Sequence, residues 1–302
     1  MALETLLSET LGIVRKPILP KVLNKKLTLI TGGSSGIGLA VARQIGEAGG
    51  KVILVARGIE KLEEAKKEVE ELGGTAYIYS CNLSDTEACK ELVEKVLEEH
   101  GPIDVLINNA GRSIRRSVND AYDRMHDFQR TMDLNYFGCL QMILGFLPSM
   151  RERKKGHIIN ISSAGCQSNV PRFSAYVASK SALDAFSRCL ANEVDQDHIA
   201  VTTVYMPLVR TPMIAPTKTY DYLPVMSPER AAQLVLKSLV TKQKKVTTPL
   251  GSLAEVVYDI SPTTATRVMN LSYQFEEKLK AYQQKQKKKA DANAAKAEAT
   301  TA

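Results

Sequence analysis

Thr31-Gly32-Gly33-Ser34-Ser35-Gly36-Ile37-Gly38 follows directly on the apolar run Leu27-Thr28-Leu29-Ile30, and a helix-forming stretch comes next. This order of strand, glycine turn and helix decides the fold. Glycine lacks a Cβ, so it turns the chain tightly and lets another group lie against the backbone. The helix starting there offers free N–H groups and the positive end of its dipole, which together suit a pyrophosphate. The spacing is T-G-x-x-x-G-x-G. It is a longer turn than the commonest dinucleotide fingerprint and serves the same purpose.

Outward from this turn, short apolar strands alternate with amphipathic helices. Strands are expected at 27–31, 51–56, 76–80, 103–107, 157–161 and 199–204, with a weaker one at 244–248. Helices are expected near 36–48, 59–72, 85–100, 122–153, 174–195 and 228–241. The alternation predicts an α/β fold, a doubly wound parallel sheet of about seven strands with helices on both faces. The 302 residues allow one large domain of this kind, expected at 26–260. Residues 1–25 read as an N-terminal extension, whose stripe of Leu6, Leu7, Leu11, Val14 and Ile18 is limited by Pro17 and Pro20. The segment 207–227, punctuated by Pro207, Pro212, Pro216 and Pro224, reads as a mobile lid. Residues 261–302 are expected to form a helix at 265–283 and then a Lys- and Ala-rich tail, disordered beyond Ala290.

A net charge of +7 raises the question of nucleic acid, and its distribution argues against it. Residues 278–302 carry seven lysines against Asp291 and Glu298, a net of +5, and residues 1–26 are at +3. The body between them is near neutral. The basic ends are left as contacts for a partner or an anionic membrane surface. No apolar run is long enough to span a bilayer, and the N-terminus lacks the pattern of a secretory signal. Cys81, Cys89, Cys139, Cys166 and Cys189 have no metal-ligand spacing and fit free thiols in a reducing, cytoplasmic compartment. The four histidines are scattered, so no metal site is expected.

The second strand ends at Val55-Ala56-Arg57. NAD-preferring enzymes place an acid there for the ribose 2′-hydroxyl. Here Arg57 stands in its place and suits a 2′-phosphate, which predicts NADPH over NADH. Asn108-Asn109-Ala110-Gly111 ends the fourth strand, where Gly111 permits close approach and the amides can knit neighbouring strands; Asn82, after the third strand, is placed for the adenine. Further on, Tyr176 and Lys180 lie four residues apart, about one helical turn, and so share a helix face. A lysine beside a phenol is expected to lower the phenol's pKa, readying it to exchange a proton with a substrate oxygen.

T-G-G-S-S-G-I-G, N-N-A-G, Asn135, I-S-S-A and Y-V-A-S-K, in this order, resemble the short-chain dehydrogenase/reductase family over about residues 26–250. The resemblance implies a Rossmann-type sheet. It implies a catalytic set of Asn135, Ser163, Tyr176 and Lys180. It also implies a cofactor site of Thr31, Gly32, Ser34, Ser35, Gly36, Ile37, Gly38, Arg57, Asn82, Leu83, Asn109, Ala110, Gly111, Tyr176, Lys180, Pro207, Val209 and Thr211. Two positions depart from the pattern. Asn82 replaces the usual aspartate, and Pro207-Leu208 replaces Pro-Gly. A narrower resemblance lies in the strings around Asn109 to Arg116, Arg172 to Lys180 and Tyr205 to Lys218, which are similar to the bacterial aldehyde-forming fatty acyl-CoA reductases. It implies NADPH-dependent reduction of long-chain acyl-CoA to fatty aldehyde, and a homo-oligomer, dimer or tetramer, built through 133–153 and 174–195.

In that chemistry Ser163 hydrogen-bonds the carbonyl oxygen, Tyr176 supplies the proton and Lys180 holds the ribose. Cys166 follows the serine closely, but no histidine pairs with it and a structural thiol is the expected role. Arg115, Arg116 and Arg172 are candidates for the CoA phosphates, or for salt bridges to Asp120, Asp123 or Asp127. Met213 and Ile214 head a set of lid residues that either line an acyl groove or pack the lid on the body. A ketone reductase for a bulky lipid or steroid, and a cofactor-binding regulatory protein without activity, are the competing readings.

Overall fold

The computed structural model describes residues 19–23, 25–215, 217, 220 and 225–278. In chain order its elements are helix α1 (Leu19–Leu23), strand β1 (Leu27–Thr31), α2 (Gly36–Glu47), β2 (Lys51–Ala56), α3 (Ile59–Glu71), β3 (Thr75–Ser80), α4 (Thr86–His100), β4 (Val105–Asn108) and α5 (Met125–Met132). A π-helical turn (Asp133–Gly138) joins α5 to α6 (Cys139–Glu152). Then come β5 (Gly156–Ser163), the single turn α7 (Gly165–Ser168), α8 (Ser174–Glu193), β6 (Ile199–Met206), α9 (Pro228–Thr241), β7 (Lys245–Val246) and α10 (Pro249–Ile260). A last helix, α11, occupies 262–278.

The seven strands form one sheet in the order β3-β2-β1-β4-β5-β6-β7, and all pairs are parallel. Side chains alternate between its faces, so each strand feeds two cores. Ile30, Leu54 and Ile159 join one core with Val41, Leu62 and Val235. Leu29, Ile53 and Ile158 join the other with Leu92, Ile143 and Leu183. This is a Rossmann-type sheet, wound on both faces, as the strand–helix alternation predicts. The strand order reverses between β1 and β4, and the crevice beyond their carboxyl ends is where such folds bind ligands.

Several boundaries differ from the expectations. The helix α1 starts inside the stretch read as an extension, because Leu19 and Leu23 are buried in the first core. The long helix expected at 122–153 begins at Met125 and is interrupted at 133–138. The interruption has two causes. Asn135 turns its side chain to the loop after β4, and Gly138 lies so close to Leu83 that a Cβ would come within 2.1 Å of the Leu83 carbonyl oxygen. The helix α10 falls where none was expected, and α11 starts three residues earlier than 265. The stripe at Leu6 to Ile18 and the tail beyond Lys278 lie outside the described residues, as do Pro216, Lys218 and 221–224 of the lid. Among the described residues no helix is long and apolar enough to cross a membrane.

Candidate active site

The glycine turn is built as its sequence requires. Gly32 and Gly36 have φ of +67° and +55°, the left-handed region that glycine tolerates. A Cβ at Gly38 would lie 2.3 Å from the Gly32 carbonyl oxygen, so α2 is pressed against the turn with no room for a side chain. Ser35, the N-cap of α2, makes no side-chain cap bond, which leaves the first N–H groups of the helix to a ligand. Thr31 and Asn109 lock the turn to β4. The Thr31 hydroxyl accepts from the backbone of Asn109 and Ala110 at 3.0 Å each, and Asn109 Nδ2 donates to the Thr31 carbonyl at 3.0 Å. Uncapped helix, glycine cradle and pinned amide fit a dinucleotide pyrophosphate.

The turn also touches β2. Gly32 and Gly33 donate to the Val55 carbonyl at 2.7 and 3.3 Å, which sets Arg57, two residues on, beside it. Arg57 is exposed, and its carbonyl accepts from the Ser80 hydroxyl at 2.8 Å. Among the described residues no carboxylate forms a salt bridge with it. Asn82 is exposed and caps its own loop by accepting from Ser84 N at 3.4 Å; Leu83 is buried behind it.

Beyond the turn opens a cleft of about 750 Å³. Gly32, Gly36, Asn109, Gly111, Tyr176 and Lys180 line it, with Ser163 at its base and Pro207, Val209, Thr211, Met213 and Ile214 along the far wall. Thr211 closes over α2, since a Cβ at Gly36 would meet its methyl at 3.1 Å. The far wall is closed on itself: Arg210 N donates to the Met226 carbonyl and Met226 N to the Leu208 carbonyl, both at 2.9 Å.

Ser163 ends β5, and its hydroxyl accepts from Gly165 N at 3.1 Å and hydrogen-bonds the Tyr176 phenol. The expectation that Lys180 lowers the Tyr176 pKa is corrected. Burial pushes the phenol up to about 12, with only the Ser163 hydrogen bond pulling the other way. Lys180 turns its ammonium to the Ile161 carbonyl at 2.7 Å instead, and burial lowers its own pKa. The neighbouring Cys166 thiol is raised by burial and stays protonated, in keeping with a structural role.

Asn135 is fully buried and reaches the backbone of Arg112 and the Ser179 hydroxyl. The sequence reading does not single out Ser179, nor the chain from Asn108 Nδ2 to Asn160 Oδ1 at 2.9 Å and from Asn160 Nδ2 to Ser187 Oγ at 2.8 Å. These amides and hydroxyls fix β4, β5 and α8 to one another below the cleft. Ser187 stands seven residues after Lys180, two helical turns, and that spacing is the one sequence signal for it.

The three candidate arginines part company. Arg115 lines the cleft and pairs with Glu276 of α11. Arg116 donates to the buried Asp127 at 3.0 Å. Arg172 lies outside the cleft; it pairs with Glu276 at 2.9 Å and with Glu277, and stacks on the Tyr273 ring at 4.9 Å. Among the described residues no group of histidine, cysteine and carboxylate side chains is arranged to hold a metal.

A family model described as short chain dehydrogenase matches residues 26–221. The chain belongs to the short-chain dehydrogenase/reductase family, and it is an oxidoreductase of that type with a nicotinamide cofactor. It is 53% identical over 248 residues to a fatty acyl-CoA reductase of Acinetobacter baylyi, covering 82% of this chain and 84% of that one. It is 42% identical over 264 residues to a fatty acyl-CoA reductase of Mycobacterium tuberculosis, covering 87% and 90%. Among solved structures, a metagenomic short-chain oxidoreductase in complex with NADP superimposes with a TM-score of 0.66 at 30% identity, over 75% of this chain and 98% of that one. A variant of actinorhodin polyketide ketoreductase with NADPH gives 0.69 at 28%, over 77% and 98%.

Proposed function

We propose that the protein reduces long-chain acyl-CoA to fatty aldehyde, consuming NADPH and a proton and releasing free CoA thiol. The observation that carries the reading is the half-buried Ser163–Tyr176 pair in a cleft whose far wall is apolar, Leu208, Val209, Met213 and Ile214. The two similar fatty acyl-CoA reductases support the choice of substrate. NADPH is preferred because Arg57 occupies the place of the ribose-binding acid.

The bound nicotinamide supplies a hydride. The chain's own residues manage the oxygen. Ser163 donates a hydrogen bond to the thioester carbonyl, and the neutral Tyr176 gives its proton as charge develops there. Lys180, fixed by Ile161, would hold the cofactor ribose. The thiohemiacetal then returns its hydroxyl proton to the Tyr176 phenolate, the C–S bond breaks, and CoA leaves as thiolate that takes the one proton consumed from water. No enzyme-bound intermediate is needed, which suits a protonated Cys166.

The likeness to a polyketide ketoreductase favours the second reading, reduction of a ketone by the same groups. One assay separates them: purified protein, NADPH and an acyl-CoA series, with thiol and aldehyde both measured. Thiol released in step with NADPH oxidation is the expected result. Oxidation on ketones alone would move the protein to the second class.

Two further parts of the reading concern assembly. A dimer or tetramer through 133–153 and 174–195 is supported by Phe137 and Leu144, exposed apolar side chains near the start of α6. The basic termini would bring the protein to the anionic inner face of a membrane, where its substrate collects.

A further inference from the structure

The helices α10 and α11 present an apolar face that nothing in the described chain covers. Along α10, Leu250, Leu253 and Ile260 are exposed; along α11, Val268, Leu271 and Phe275 are. The spacings are three, four and seven residues, so each set forms one stripe. Ile260 is 80% exposed, and Leu271 and Phe275 are 67% and 70% exposed.

The inner side of α11 carries Ala265, Met269 and Tyr273, with Glu276 beside them. Tyr273 stacks on Arg172, Glu276 pairs with Arg115 and Arg172, and Glu277 pairs with Arg172. These contacts fix which way the helix faces, so the apolar stripe is turned outward by construction. Arg115 itself lines the active-site cleft, which puts the helix at the rim of the cleft mouth.

The sequence that follows carries the second observation. Lys278, Lys280, Lys285, Lys287, Lys288 and Lys289 continue directly from the helix, with no acid until Asp291. We propose that the α10–α11 face is a docking surface for an anionic lipid bilayer. Its apolar stripes sit at the boundary of headgroups and acyl chains, and the lysines that follow lie on the headgroups. Charge decides against a second copy as the occupant. A two-fold contact through this face would bring two sets of six lysines together against few acids, Asp259 and Glu277 being the exposed ones on the two helices, whereas an anionic bilayer complements them.

This deepens the membrane contact proposed for the termini by naming the surface that makes it. Docking does not depend on the reaction. That the docked cleft receives an acyl chain from the bilayer does rest on the acyl-CoA reading.

The test is cosedimentation of the full chain with phosphatidylcholine vesicles, with and without phosphatidylglycerol. The wild type is expected to bind the anionic vesicles, and to lose binding as salt rises. The double variant Leu271→Glu/Phe275→Glu, on exposed positions outside the active site, is expected to bind at least about tenfold more weakly. The variant with Lys285, Lys287, Lys288 and Lys289 changed to alanine is expected to lose the preference for phosphatidylglycerol. NADPH binding, measured by fluorescence, confirms that each variant is folded. Absence of wild-type binding, or equal binding by Leu271→Glu/Phe275→Glu, would overturn the proposal. So would a wild-type dimer in ultracentrifugation that only this double variant converts to monomer while vesicles stay unbound. A failed acyl-CoA assay would leave the vesicle result standing.

Discussion

Asn135 holds the backbone of Arg112 at both ends, accepting from its N–H at 2.8 Å and donating to its carbonyl at 2.9 Å. The same Nδ2 donates to Ser179 Oγ at 2.9 Å, and Ser179 Oγ donates to the Tyr176 carbonyl at 2.7 Å. One buried amide therefore ties the loop after β4 to the helix that carries Tyr176 and Lys180. Asn135→Ala leaves these buried groups without partners, at about 1–3 kcal/mol for each orphaned group. We expect a lower urea midpoint and a fall in kcat that exceeds any change in cofactor affinity. A folded alanine variant with the wild-type kcat would show that the tie is structural only.

Tyr176 is a neutral phenol at neutral pH. Its pKa is raised to about 12 by burial, so at neutral pH it is a donor, as reduction of a carbonyl requires. The rate of reduction should be level through neutrality and fall on the alkaline side, as the phenol ionises. Lys180, its pKa lowered by burial, adds to that alkaline loss. Tyr176→Phe should reduce kcat by roughly 10²–10⁴ and leave NADPH binding near wild type. A rate that climbs with pH through neutrality would mean that the phenolate is the working form.

The sheet and the glycine turn were legible because their signals are local. Leu29 and Ile30 are neighbours with opposite destinations, and period two alone assigns them to separate cores. Gly32, Gly36 and Gly38 are needed by the backbone itself. The π-helical turn was not legible, since its cause is a side chain bonding a residue 23 positions away. The helix α10 has Thr248 as N-cap and Pro249 in its first turn, but its inner side is Gly251 and Glu255 set against Gln167, so its apolar residues mark no buried face that a period could reveal. The fates of Arg115 and Arg172 depend on Glu276 and Glu277, more than a hundred residues later, and no spacing encodes that.

Arg57 stands two residues beyond the strand residue that holds the glycine turn, exposed and with no salt-bridge partner among the described residues. A 2′-phosphate there gains charge-assisted hydrogen bonds, each stronger than a neutral one. Arg57→Asp should weaken NADPH and favour NADH, moving the ratio of kcat/KM for the two cofactors by roughly 10–100-fold at 1.4 kcal/mol per decade. An unchanged ratio would remove Arg57 from the cofactor site.

His157 is a source of acid sensitivity. It is buried in β5 with Nε2 2.9 Å from Thr202 Oγ1, and burial, with Lys242 and Lys26, depresses its pKa from 6.5 to about 3. The fold therefore takes the neutral ring, while the unfolded chain gains a proton near 6.5. The stabilisation is complete above that pH and is lost as pH falls from 6.5 toward 3, at about 1.4 kcal/mol per pH unit. His157→Gln should flatten this part of the pH dependence of the urea midpoint, relative to wild type. Parallel curves would show that the ring does not titrate on unfolding.

Arg115 and Arg116 are adjacent in sequence and differ in what a charge reversal should do. Arg115 faces the cleft, where its partner Glu276 is a half-exposed carboxylate that a CoA phosphate can displace. Arg116 belongs to Asp127, a nearly fully buried carboxylate that burial raises but that hydrogen bonds from Arg124 and Arg130 hold below its usual range. Arg115→Glu should therefore raise KM for acyl-CoA by roughly 10–100-fold, the loss of one charge-assisted contact, with little change in melting temperature. Arg116→Glu should do the opposite. It sets a like charge against Asp127, so stability falls by about 1–3 kcal/mol while KM stays near wild type. Equal KM effects would mean that the two arginines share one phosphate site, and that the Asp127 pair opens when substrate binds.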